Sequence, residues 1–224
     1  MNLLRIRMSG TRRLAARLLI MLMLCLSAAG CRQRANQIDE KGGFVMSDSS
    51  DCLPNITLID QHGQKISLSS LKGKPVLFDF IYTTCPGPCL LLTSRMKAIA
   101  IQLGPALGKE ARIVSITVDP EHDHPQQLRA YAKEFGADVE GWSFLTGPPK
   151  QIDEVMARFN LFRRREGYGT VDHVLEFFLV GANGHALLEY IGDKAAPNRV
   201  ADDLERAAEG ESVTSREGTT SAAL

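Results

Sequence analysis

The feature that most constrains the fold is a junction between two apolar segments that carries two cysteines. Residues 76–82 form a short run rich in Phe, Val and Ile, which predicts a buried β-strand. Residues 90–103 place Leu, Met and Ile at spacings of mostly three or four, which predicts an amphipathic helix. Cys85 and Cys89 lie between the two runs. We therefore expect two thiols at the N-terminus of a helix, where the macrodipole and free N–H groups favour thiolate.

The first 31 residues have the pattern of an export signal. Several arginines precede the apolar run 18–26, which is shorter than the about twenty residues needed to span a bilayer. Small residues at 27–30 then precede Cys31, as in a secretory signal peptide. This ending resembles a bacterial lipoprotein box, in which Cys31 would carry the lipid. The alternative is an uncleaved N-terminal anchor with its basic end in the cytoplasm. Both interpretations tether the domain on the periplasmic side of the bacterial inner membrane.

The rest of the chain divides by composition into a linker, one domain and a tail. Residues 32–51 are polar and contain a Gly-Gly pair, which is typical of a linker. Residues 52–210 have the size of an ordinary single domain. Residues 211–224 are rich in Ser, Thr, Gly and Ala and are expected to be disordered. The formal net charge is +0, and without a basic stripe nothing supports nucleic-acid binding.

Strand and helix patterns alternate along the domain. Strands are predicted at residues 56–59, 65–68, 76–82, 113–118, 142–145, 174–180 and 186–191. Helices are predicted at residues 90–103, 148–159 and 197–208, and from a capping box at Asp123 and Gln126 to Phe135. The fold class is therefore α/β, a mixed sheet covered by helices, with an N-terminal hairpin at residues 56–68.

The five cysteines differ sharply in their surroundings. Cys25 lies in the signal segment, Cys31 is the candidate for lipidation, and Cys52 is interpreted as a small unreactive thiol, with a resolving role left open. A disulfide between Cys85 and Cys89 would close so short a loop that it would hardly stabilise the fold. Residues four apart share a helix face, so both sulfurs are expected to point at one site. A functional pair is the preferred interpretation.

Two thiolates at this spacing suit either disulfide exchange or a soft metal ion. Thiolates select Cu(I) or Zn(II), and the absence of a second cysteine pair to complete a zinc site favours copper. A histidine is the expected third ligand. His62 and His185 lie at predicted turns and are interpreted as solvated, whereas His122 and His124 lie in a polar loop that is interpreted as the lead-in to a helix. His173 differs, because it stands where a loop enters a predicted buried strand.

Three motifs together resemble the Sco/SenC family of copper proteins: FDFIYTTCPGPC, SITVDP and VDHVLEFFLV. The resemblance implies a thioredoxin-like fold and a copper site formed by Cys85, Cys89 and His173, which would hold Cu(I) and also Cu(II). It implies service to the binuclear copper centre of cytochrome c oxidase, with an oxidase subunit or another periplasmic copper protein as acceptor. Asp119 matches a residue associated with copper function, as a supporting group rather than a ligand.

The chain departs from the family pattern around the cysteines. The residues between them are Pro86-Gly87-Pro88, where the family usually has an acidic residue, and Leu90 replaces a proline. The missing negative charge is expected to alter copper affinity, thiol pKa or partner choice without removing a ligand.

Two mechanisms remain open at this point. A metallochaperone would capture Cu(I) and pass it on by ligand exchange, whereas a thiol-disulfide oxidoreductase would reduce the acceptor's disulfide. Peroxidase chemistry is a weaker alternative, because Tyr82 stands where peroxiredoxins have Thr. The run 163–165 before Gly167 and Tyr168 is interpreted as a solvated, mobile loop; the alternative is a loop that brings His173 to the sulfurs and contributes to the partner surface.

Overall fold

The computed structural model describes residues 43–45, 51–85, 87–165, 171–172, 175–192, 194–211 and 213. Eight strands form one mixed sheet in the order β1-β10-β9-β4-β5-β6-β2-β3, and β7 pairs with β8 in a separate two-stranded sheet. The strands are β1 (Gly43–Val45), β2 (Thr57–Asp60), β3 (Lys65–Ser67), β4 (Val76–Ile81), β5 (Arg112–Thr117), β6 (Trp142–Thr146), β7 (Arg164–Arg165), β8 (Val171–Asp172), β9 (Glu176–Val180) and β10 (Ala186–Ile191). The helices are α1 (Pro88–Leu103), α2 (Pro125–Glu134), α3 (Pro149–Arg158) and α4 (Pro197–Ala208).

The centre of the sheet is β4, which pairs in parallel with β5 and antiparallel with β9. All six of its residues are buried, because helices cover the sheet on both faces. The alternation of side chains along a strand puts Asp79 on the face opposite to Phe78 and Phe80. Phe159, which follows α3, contacts both of these phenylalanines. The two faces of β4 therefore meet different helices.

The face that carries Asp79 is covered by α1 and α2. The Tyr131 ring of α2 contacts Phe144 of β6, and its hydroxyl lies 2.7 Å from the hydroxyl of Thr93 on α1. Arg95 of α1 donates to the carbonyl of Ala195, just before α4, at 3.0 Å. The helix α1, which follows the cysteine loop, is thus held in place by contacts with α2 and with the segment before α4.

Both edges of the sheet are formed by segments near the N-terminus. The predicted hairpin is confirmed as β2 and β3, and β2 continues the main sheet by pairing with β6. At the other edge β1 pairs with β10. This short strand lies within the segment predicted as a linker, so it was not expected from the sequence.

Strands β7 and β8 were not predicted either, because residues 163–165 were interpreted as a loop; the other elements follow the prediction, with ends shifted by a few residues. The capping box is wrong: α2 begins at Pro125, its N-cap residue is His124, and no side chain caps it. The carboxylate of Asp123 is instead bound to two threonines outside the helix. The predictions for the signal segment, the tail beyond Val213 and the 167–169 stretch fall on residues that the structure does not describe. Within the described ranges, no helix is long and apolar enough to cross a membrane.

Candidate dithiol site

The two cysteines lie at the carboxyl end of β4, where the chain turns into α1. The Cys85 N–H donates to the carbonyl of Tyr82 at 3.3 Å, which closes a turn directly after the strand. The Cys85 sulfur then accepts a hydrogen bond from the backbone N–H of Cys89 at 3.3 Å. Both are reduced thiols that form no disulfide. Since α1 begins only at Pro88, the two cysteines do not share a helix face; the sulfurs are brought together because the loop folds back over the helix N-terminus.

The two thiols differ in burial and acidity. Cys85 keeps 6% of its surface exposed, and Cys89 keeps none. Burial alone would raise the pKa of Cys85, but hydrogen bonds from the Cys89 thiol and from the N–H groups of Gly87 and Cys89 outweigh it and lower this pKa. Burial raises the pKa of Cys89, and the hydrogen bond with Cys85 raises it further. Cys85 is therefore the more reactive sulfur. The Cys89 sulfur keeps its proton until a metal ion or a partner displaces that proton.

A buried polar group lies on the same face of the sheet as the dithiol. Asp79 is fully buried, and neither of its carboxyl oxygens has a hydrogen-bond partner of normal geometry in the described part of the chain. Burial raises the pKa of Asp79 to about 7, although the neighbouring Ser115 opposes the rise. Its charge raises the pKa of Cys89 and of Tyr131. Ionising Asp79 therefore disfavours the Cys89 thiolate.

The loop between β5 and α2 holds the cysteine turn from the side. Asp123 is fully buried, and its carboxylate accepts hydrogen bonds from the Thr83 N–H at 3.0 Å, from the Thr83 hydroxyl, and from the Thr117 hydroxyl at 2.6 Å. Asp119, also buried, lies 2.9 Å from Nδ1 of His122. Asp123 was not predicted as a site residue, because the local sequence pattern resembles a helix cap.

Arg163 is not part of a solvated loop, which corrects that interpretation for this residue. Only 14% of its side chain is exposed. Its guanidinium donates to both carboxylate oxygens of Glu121, at 2.9 and 3.0 Å, and to Asp153 on α3 at 2.6 Å. The next two residues form β7, whose register pairs Arg164 with Asp172.

The structure does not describe His173, so the sequence prediction for it stays a prediction. The strand that follows it in the sequence, β9, is described. Register pairs Asp79 of β4 with Phe177 of β9, so β9 begins at the end of β4 that leads to Cys85. Among the described residues no group of three or more His, Cys, Asp and Glu side chains forms a cluster suited to a metal ion. Of the other histidines, His62 pairs with Asp138 at 3.0 Å and His185 follows the β9–β10 turn.

Cys52 lies at the opposite end of the sheet. Its N–H donates to the carbonyl of Gly184 in the β9–β10 turn at 2.8 Å. That turn follows Val180, which pairs with Val76, the first residue of β4, whereas Cys85 follows the last. A six-residue strand separates the two ends by about 20 Å. A resolving role for Cys52 toward Cys85 is therefore excluded in this conformation.

Comparison with known proteins places this arrangement in a family. The SCO1/SenC family model matches residues 46–209, which includes both cysteines. The chain belongs to the SCO1/SenC family. A curated relative, the SCO1 protein homolog of Bacillus subtilis, is 37% identical over 144 residues, which is 63% of this chain and 74% of that protein.

Solved structures show the same fold. A SCO1/SenC family lipoprotein from Bacillus anthracis has 27% identity and a TM-score of 0.65, over 70% of this chain and 94% of that chain. ScoI from Bradyrhizobium japonicum, solved with copper bound, has 28% identity and a TM-score of 0.60, over 67% and 96% of the two chains. The mixed sheet flanked by helices is therefore the thioredoxin-like fold of Sco proteins, as the sequence motifs predicted.

Proposed function

We propose that this chain is a copper metallochaperone, which captures Cu(I) with Cys85, Cys89 and His173 and passes it to a copper-acceptor protein. The observation that carries the proposal is the reduced thiol pair at the end of β4, with the Cys85 sulfur accepting a hydrogen bond from the backbone N–H of Cys89. Two soft thiolates select Cu(I), and a histidine completes a three-coordinate site. The copper-bound relative supports this choice of metal.

The position of β9 supports His173 as the third ligand. Because β9 is antiparallel to β4, Glu176 at the start of β9, three residues after His173 in the sequence, lies at the cysteine end of β4. A three-coordinate Cu(I) remains open to a thiolate of the acceptor, so the metal can leave by ligand exchange. Copper is the cargo here, and membership of the family supports the binuclear centre of cytochrome c oxidase as its destination.

The same dithiol favours disulfide reduction as a second function, because its two sulfurs differ in acidity. The Cys85 thiolate would attack a disulfide of the acceptor, and Cys89 would then displace the acceptor from the mixed disulfide. The acceptor leaves with two thiols, and Cys85 and Cys89 leave as a disulfide that an external dithiol must reduce. Copper loading requires both thiols reduced, so the two functions exclude each other at any one moment.

We also propose that the domain works at the periplasmic face of the inner membrane, tethered by a lipid on Cys31 or by an uncleaved N-terminal segment. The lipoprotein among its structural neighbours supports the lipid. Labelling cells with a radioactive fatty acid, for the native chain and Cys31→Ser, separates the two tethers.

The test of the copper function is an anaerobic titration of the reduced protein with Cu(I) against a competing chelator. The native chain is compared with His173→Ala and with His185→Ala, a control at the opposite end of the sheet. We expect one tightly bound Cu(I), weakened more than about tenfold by His173→Ala and unchanged by His185→Ala.

Either of two results would contradict the proposal. If His173→Ala leaves the Cu(I) affinity unchanged, His173 is not a copper ligand. If the native chain binds Cu(I) too weakly to compete with the chelator, it is not a copper chaperone. The reduction potential of the Cys85–Cys89 pair is then the next quantity to measure, because it tests the disulfide-reducing function.

A further inference from the structure

One loop contacts both segments that lead into the proposed copper ligands. Residues 119–123, which we call the acidic loop, connect β5 to the start of α2 and carry Asp119, Glu121 and Asp123. On one side the loop contacts the turn before Cys85, and on the other it contacts the residue before β7. These contacts are made by two different carboxylates of the same five-residue segment.

On the cysteine side, the contact is a fully buried carboxylate. Asp123 accepts from the N–H and hydroxyl of Thr83 and from the hydroxyl of Thr117 at the end of β5. Thr83 precedes Cys85 by two residues. Hydrogen bonds to a carboxylate are about twice as strong as neutral ones. Asp123 therefore ties the start of the cysteine turn to β5.

On the other side, the contact is the guanidinium of Arg163. It bridges Glu121 of the acidic loop and Asp153 of α3, with three donor–acceptor distances between 2.6 and 3.0 Å. A largely buried arginine with two carboxylate partners fixes the backbone that follows it more firmly than an exposed ion pair does. That backbone is β7, which pairs with β8, and β8 ends one residue before His173.

We propose that the acidic loop aligns the two halves of the copper site, with Asp123 as the positioning residue for the cysteines and Arg163 as the positioning residue for the segment that delivers His173. This inference rests on the function proposed above. Groups that orient metal ligands without touching the metal change affinity by about 10- to 100-fold when they are removed. The loop is suited to this task because its own ends are fixed by β5 and α2.

The roles of Asp123 and Arg163 are distinguished by measuring Cu(I) affinity in two backgrounds, the native chain and His173→Ala. We expect Arg163→Met to weaken Cu(I) binding about tenfold in the native chain and less than about twofold in His173→Ala. Asp123→Asn is expected to weaken binding about tenfold in both backgrounds, because it acts on the cysteines. Matched controls are Arg206→Met and Asp203→Asn, since Arg206 also pairs with two carboxylates and Asp203 is a buried acid bonded to the Tyr190 hydroxyl.

Hydrogen–deuterium exchange of the copper-free proteins measures the anchoring itself. Arg163→Met should speed exchange at residues 164–165 and 171–172, and Asp123→Asn should speed it at Thr83, while the two controls leave these amides unchanged. Unchanged exchange would overturn the inference even if the copper ligands are as proposed. Equal weakening by Arg163→Met in both backgrounds would also overturn it. If His173→Ala alone leaves affinity unchanged, the proposed ligand set is wrong and the role of Arg163 is wrong with it.

Discussion

The dithiol shows how two identical side chains become chemically different within one turn of chain. Cys85 precedes the helix and receives hydrogen bonds from N–H groups at its start, which lower the pKa of this thiol against the effect of burial. Cys89 is inside the first turn and fully buried, so its pKa is raised. An attacking thiol needs access and thiolate character, and only Cys85 has both.

This difference predicts a fixed order of alkylation. With limiting iodoacetamide at pH 7, we expect the reduced protein to be labelled at Cys85 first, with Cys89 and the buried Cys52 protected until the protein is unfolded. Because the Cys89 thiol helps to lower the pKa of Cys85, Cys89→Ala should move the midpoint of Cys85 labelling to higher pH. Mass spectrometry of digested samples gives the site and rate. Labelling of Cys89 as fast as Cys85 would contradict the assignment.

Site residues could be predicted from sequence only where their signal is local. Cys85 and Cys89 were found because a thiol pair at a strand–helix junction is visible within a few residues. Asp123 was misread, since its main partner Thr83 lies 40 residues earlier in the chain. Asp79 was visible as a charge within an apolar run, but its depth, and the missing hydrogen-bond partner of normal geometry among the described residues, follow from packing across the sheet.

At the scale of elements, the apolar periodicity was sufficient to predict the type and the order of most strands and helices. The central strands, the four helices and the β2–β3 hairpin were predicted because each contains its own apolar pattern. The ends shifted because pairing between strands decides where a strand stops. Strand β1 was missed because three residues carry no periodicity, and its partner β10 is far along the chain.

The start of β6 depends on a close approach between two loops, which makes Gly141 sensitive to substitution. Gly141 has φ +87°, and a Cβ there would lie 2.4 Å from the backbone nitrogen of Gly108. We expect Gly141→Ala to reduce the free energy of unfolding by about 3 kcal/mol, from backbone strain plus this overlap. Gly63→Ala is the matched control, because Gly63 has φ +81° with nothing within 4 Å, and should cost about 1 kcal/mol. If urea unfolding showed equal losses of stability for Gly141→Ala and Gly63→Ala, the close approach of Gly141 to Gly108 would be contradicted.

For the whole molecule, the buried Asp79 links stability to pH. Its pKa rises from 3.8 to about 7 on folding, mainly because burial disfavours the charged form. Between these values the folded protein holds a proton that the unfolded chain has lost, so stability falls as pH rises through this window. The full rise corresponds to at most about 4 kcal/mol above pH 7.

Asp79→Asn removes this titration while keeping the shape of the side chain. We therefore expect the free energy of unfolding of Asp79→Asn, measured against the native chain at the same pH, to be about 2 kcal/mol higher at pH 7.5 than at pH 5. Urea unfolding of the reduced proteins at both pH values gives the difference. The buried amide of the new Asn lowers the free energy of unfolding by an amount that does not depend on pH, so this effect cancels in the difference between the two pH values.

Glu110→Gln is the control, since it removes an exposed carboxyl group and should change stability by less than about 0.5 kcal/mol at either pH. If Asp79→Asn shifted stability equally at pH 5 and pH 7.5, Asp79 would be ionised throughout, and a negative charge would face the dithiol during copper loading. A larger effect at pH 7.5 instead means that the protein neutralises this carboxyl in acid, and that the Cys89 thiolate is then easier to form beside it.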